Sequence, residues 1–78
     1  MISMKELLIF IAQSLVEHPE DVTVDETQTE YGLVLDLHVN ENEMGKVIGK
    51  QGKSAKAIRS VVKAAASKEN IKVTVNIV

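Results

Sequence analysis

The hydrophobic periods of this chain predict an α+β fold with the element order α-β-β-α-α-β. Three observations carry that reading: a helical period at the start, two separate runs of strict alternation, and a glycine pair that divides a second helical region. Helices join the second strand to the third, so those two run parallel with a right-handed crossover, while the first two strands form a hairpin. The expected product is one domain over residues 1–78, a three-stranded mixed sheet with three helices on one face.

Residues 3–17, "SMKELLIFIAQSLVE", place Met4, Leu7, Leu8, Ile11 and Leu15 on one helical stripe, widened by Ile9, Phe10 and Val16. Ser3 is the expected N-cap, Glu6 completes a capping box, and Pro19 sets the end. Val22 and Val24 alternate with polar neighbours as a short strand. Thr27–Gly32 reads as the turn, with Gly32 free to take a positive φ. Leu33, Leu35, Leu37 and Val39 then alternate with Val34, Asp36 and His38 as a half-buried strand. A short helix opens between Asn40 and Met44 and runs to Ile48. A longer one covers residues 53–67, Glu69-Asn70 turns the chain, and Ile71, Val73, Val75 and Ile77 form the last strand.

Composition narrows the function. There is no Cys, which removes disulfides, thiolate metal sites and thiol catalysis. The two His, at 18 and 38, lack zinc-motif spacing, so no metal or cofactor is expected. No apolar run approaches the roughly 18 residues of a membrane span and no basic leader is present, so the expected location is the cytoplasm. The carboxylates of the N-terminal half form no pairing with a base or nucleophile, which argues against an enzyme and for solubility. The net charge of −2 hides a division. Residues 1–45 hold one Lys and ten Asp or Glu, whereas residues 46–68 hold Lys46, Lys50, Lys53, Lys56, Arg59, Lys63 and Lys68 with no acid. Phosphate responds to such a local patch rather than to the total.

At the head of that patch stands "IGKQGKS", residues 48–54. Its "GKS" matches the tail of a nucleotide-binding P-loop, but the first glycine of that motif falls on Val47, and a helical turn precedes it where a buried strand is needed. The other use of two glycines three apart is a helix–loop–helix turn that approaches a nucleic-acid strand. Gly49 and Gly52 present no Cβ to a sugar–phosphate backbone, the following helix offers its amides and dipole, and Lys50 and Lys53 add charge.

The longer stretch "GKVIGKQGKSAKAIRSVV" resembles the KH signature V-I-G-x-x-G-x-x-I-x-x-I, and the element order resembles the type II KH fold. A chain of this length is similar to the small bacterial KhpA family of RNA-binding proteins. The resemblance implies a clamp for about four nucleotides of single strand, with Val47, Ile48, Gly49, Lys50, Gln51 and Gly52 as groove floor and clamp. Lys46, Lys53, Ser54, Lys56 and Arg59 complete the expected RNA-binding set. It also implies RNA-chaperone or post-transcriptional work linked to cell shape and cell-wall organisation, and association with a larger KH protein of KhpB type. One position departs from the signature: Ala55 stands where a larger aliphatic is usual, whereas Ile58 fits.

On a helical wheel, residues 53–67 separate into three faces. Ala55, Ile58, Val62 and Ala65 face the sheet. Lys56, Arg59 and Lys63 form a basic ridge bordered by Lys53. Ala57, Val61 and Ala64 form a small-residue stripe that suits a homodimer or a heterodimer contact, although Ala also serves plain helix propensity. One Tyr and one Phe make no stacking platform of the RRM or OB kind. Phe10 is expected in the core and Tyr31 in the hairpin turn, while Ile48, Val39 and Leu37 are candidates for an aliphatic base groove. Two function classes remain: a single-stranded RNA-binding module without a small-molecule substrate, and a KH-fold scaffold that acts through protein association.

Overall fold

The computed structural model describes residues 2–78. Its helices and strands are α1 (Met4–Gln13), β1 (Thr23–Thr29), β2 (Gly32–His38), α2 (Met44–Ile48), α3 (Lys53–Lys68) and β3 (Val73–Ile77). The sheet order is β1-β2-β3, with β1 antiparallel and β3 parallel to the central β2. This is the α-β-β-α-α-β arrangement of a type II KH fold, a three-stranded mixed sheet with its helices on one face.

Ser3 caps α1 as its sequence predicts. The Ser3 Oγ accepts from the Glu6 amide at 3.1 Å and the Glu6 carboxylate accepts from the Ser3 amide at 3.4 Å. The helix ends at Gln13, four residues short of the expected 17, for two reasons. Ser14 Oγ donates to the Phe10 carbonyl at 2.8 Å, a side-chain bond that competes with the helical ladder. Further on, the amides of Glu17 and His18 donate to the carboxylate of Glu43, at 2.6 and 3.2 Å, instead of to carbonyls one turn back.

Phe10 lies outside the core, contrary to the expectation from its sequence. It is 68% exposed, because the line that meets the sheet and α3 is Met4, Leu8 and Ala12. Five consecutive apolar residues, 7–11, cannot all face inward on a helix, and Phe10 lies opposite Leu8. Strand β1 is longer than Val22 and Val24 alone suggest. Its pairing with β2 continues from Thr23↔His38 to Thr29↔Gly32, so Thr27 to Thr29 belong to the ladder and the turn shrinks to Glu30-Tyr31. Thr29 holds that turn, its Oγ1 donating to the Gly32 carbonyl and accepting from the Tyr31 amide. Gly32 takes φ +128° as its glycine allows.

The core lies between the sheet and the helices. Leu35 and Leu37 from β2, Leu8 from α1, Val47 from α2 and Val62 from α3 are its fully buried large side chains, closed by Val24, Ile58, Val73 and Val75. On α3, Ala55, Ile58, Val62 and Ala66 are buried while Ala65 is half-buried, a rotation of the expected face toward the C-terminal end. Asn70 at φ +58° ends α3, and the Ile71 amide returns to the Ala66 carbonyl at 2.9 Å.

Candidate nucleic-acid interface

Helix α2 stops because Gly49 leaves helical space, at φ +76° and ψ 173°. Gln51 and Gly52 follow in the left-handed region at φ +58° and +74°, and Lys53 returns to helical angles as α3 begins. Three positive φ values in four residues make a tight turn that re-aims the chain from α2 into α3. The two glycines do different work. A Cβ on Gly49 would overlap Ser54 Oγ and lie 2.7 Å from Ser54 Cβ, so this glycine lets the loop fold onto the start of α3. A Cβ on Gly52 would meet nothing within 4 Å. Gly52 is there for its backbone angle, and the space outside it is open.

No side chain among the described residues caps α3; its N-cap is Gly52. The first-turn amides and the positive end of a 16-residue helix dipole therefore face outward where an anion can complete them. Lys50, Lys53 and Lys56 are exposed around this end, Gln51 is exposed at the loop tip, and Ile48 is 38% exposed at its rim. Ser54 is half-buried behind Gly49. Arg59 lies one turn beyond Lys56 and reaches across to the sheet edge, its Nε donating to the Val75 carbonyl at 3.0 Å.

Two members of the expected set sit differently from the rest. Val47 is fully buried, so it supports the loop from beneath. Lys46 is already paired: its Nζ lies 3.2 Å from Glu17 and 3.7 Å from Glu43. Leu37 is likewise fully buried, which removes it from any base-contacting groove. The small-residue stripe does reach the surface. Val61 is 51% exposed, and with Ala57, Ile58, Ile11 and Leu15 it lines an apolar groove of about 260 Å³ between α1 and α3.

Glu43 is the residue that sequence reasoning misses, because in sequence it stands among the solubilising acids of the N-terminal half. It is buried at 4% exposure and accepts from two backbone amides of the α1–β1 connection while facing Lys46. Its partners lie 25 and 26 residues away, so no local pattern marks it. The effect is to tie the segment carrying α2, and hence the loop, to the end of α1. Glu43→Ala leaves two amides without an acceptor and is expected to lower stability by about 2 kcal/mol. Glu43→Gln, which retains one carbonyl oxygen, recovers part of that loss, and thermal melts of the two variants check it.

Among the described residues no group of His, Cys, Asp and Glu is placed to hold a metal ion, and no helix is long and apolar enough to cross a membrane. A family model described as the KH domain of KhpA and KhpB matches residues 5–77. The chain belongs to the KhpA/KhpB family of KH domains. Its KhpA relatives share the whole domain: RNA-binding protein KhpA of Clostridium perfringens is 61% identical over 75 residues, covering 96% of this chain and 100% of that protein. The RNA-binding protein KhpA of Halalkalibacterium halodurans is 51% identical over 96% of this chain and 99% of that one. Among solved structures, Era of Aquifex aeolicus, in a GDP–aluminium fluoride complex, superposes with a TM-score of 0.69 at 22% identity. That match covers 95% of this KhpA-type chain and 29% of the Era chain, and it speaks for the fold alone.

Proposed function

We propose that this chain is a non-enzymatic, cytoplasmic RNA-binding protein, a single KH domain that grips single-stranded RNA by its backbone. The observation that carries the reading is the loop Gly49–Gly52, whose open outer side adjoins an uncapped helix N-terminus ringed by Lys50, Lys53 and Lys56. Phosphate oxygens complete the first-turn amides of α3, Lys50 and Lys53 supply charge, and Arg59 meets the strand further along. Lys46 contributes less, because a phosphate must compete with Glu17 for it. The KhpA relatives are named RNA-binding proteins, which supports the same reading; a domain that holds few nucleotides suits post-transcriptional or RNA-chaperone work. Anisotropy of a labelled single-stranded oligonucleotide tests it: affinity that ignores both salt and acidic substitution at positions 50 and 51 sinks the clamp.

A second reading, association through the α1–α3 face, is favoured by the apolar groove and by Val61, which lines it and is 51% exposed. Small side chains at Ala57 and Ala64 let another helix approach closely, either from a second copy or from a KhpB-type protein. A dimer presents two clamps to one strand and raises affinity through effective concentration. Light scattering after size exclusion is expected to show a dimer that Val61→Asp converts to monomer; a parent that stays monomeric at high concentration removes the homodimer.

A further inference from the structure

We propose that the end of the domain remote from the glycine loop holds a second nucleotide subsite, built from Tyr31, Lys63 and Lys72. The proposal rests on the RNA-binding reading above and extends it to the far end of the basic ridge. Tyr31 is 80% exposed in the hairpin turn. It stands over an open concavity of about 610 Å³ whose other walls include Lys63 and Ser67 of α3 and Lys72 and Thr74 of the β3 end. The position of Tyr31 follows from Gly32: the Leu33 amide donates to the Lys72 carbonyl at 2.9 Å, and the missing Cβ of Gly32 lets the hairpin close against Lys72.

The chemistry of this hollow suits a nucleotide. Lys63, Lys72, Ser67, Thr74 and Tyr31 are among its lining residues, and none of the described residues lining it is an Asp or Glu. Glu26 and Glu30 line an adjoining cavity that shares Tyr31 and Lys72 with this one, so a polyanion is drawn toward the Lys63 wall and away from the β1 end. Lys56, Arg59 and Lys63 recur at three- and four-residue spacing along α3, between the clamp and the hollow. From Lys53 to Ser67 the helix rises about 21 Å at 1.5 Å per residue. A clamp for about four nucleotides leaves this end for those that follow. A base stacks on the Tyr31 ring, and its phosphate lies between Lys63 and Lys72.

The test compares oligouridines of about four and about ten nucleotides by fluorescence anisotropy at low salt. Tyr31→Ala is expected to weaken the longer RNA about 10-fold and leave the shorter unchanged, with Tyr31→Phe restoring the parent affinity. Lys72→Ala is expected to lower the salt slope for the longer RNA by about 0.7. Tyr31→Ala that matches the parent on both lengths, while acidic residues at 50 and 51 still abolish binding, overturns the subsite and leaves the clamp standing. Both sets of variants binding like the parent overturns the clamp as well. A ring so exposed has no folding role to confuse the result.

Discussion

Lys50→Asp combined with Gln51→Asp is expected to weaken single-stranded RNA binding by on the order of 100-fold or more, while the domain keeps its fold. The loop tip changes from one positive charge to two negative ones, beside amides and a helix dipole that bind only anions. The fold survives because both side chains are exposed, and Asp at position 51 tolerates the left-handed angle of φ +58° better than most residues do. The parent's affinity falls linearly on a logarithmic salt scale with a slope of about −0.7 per phosphate contact, so losing the Lys50 contact flattens it by about that amount. Neither Lys50 nor Gln51 lines the α1–α3 groove, although Ser54 behind the loop does, so association through it is expected to persist. RNA crosslinking in cells that survives the double substitution would falsify the assignment of the clamp.

Gly32→Ala is the substitution expected to cost the fold most, about 3 kcal/mol or more. At φ +128° an L side chain is strained wherever it points, and here the new Cβ would stand 2.6 Å from the Lys72 carbonyl oxygen and 2.9 Å from Lys72 Cβ. The first of those neighbours is backbone and bonded to the Leu33 amide, so it cannot swing aside. The strain falls where the β1–β2 turn meets the β2–β3 ladder, and both pairings loosen together. In a domain of this size, 3 kcal/mol lowers Tm by on the order of 10–20 °C. Gly45→Ala is the control: it sits inside α2, a Cβ there meets nothing within 4 Å, and a gain of about 0.5–1 kcal/mol is expected. Equal melting temperatures for Gly32→Ala and the parent would show that the turn does not need its glycine.

The two substitutions also separate what was legible in the sequence from what was not. The glycine loop was legible because its demand is local: Gly49 and Gly52 need angles that other residues resist, and the helices on either side have their own periods. Gly32 was legible as a positive-φ residue for the same reason, but the clash with Lys72 that makes it irreplaceable was not. The exposure of Phe10 is not legible, because the run 7–11 satisfies several helical faces at once, and only the sheet and α3 choose between them. The role of Glu43 is not legible either, because a carboxylate gives no local sign that it is buried, and its amide partners are brought to it from across the chain. Of the two partners of Lys46, Glu43 is three residues away, whereas Glu17 is brought to it from the end of α1.

What the sequence determined by itself is the element order, the loop between α2 and α3, and the division of charge between the two halves. Each rests on neighbours within a turn or two of one another, where periodicity and glycine angles act directly. The tertiary structure alone decided which cations remain unpaired, which apolar face stays exposed, and that Tyr31, Lys63 and Lys72 share one hollow. Those depend on contacts between residues far apart in the chain, set by how the parallel β2–β3 pairing and the hairpin bring the ends of α3 and β3 beside the Glu30-Tyr31 turn.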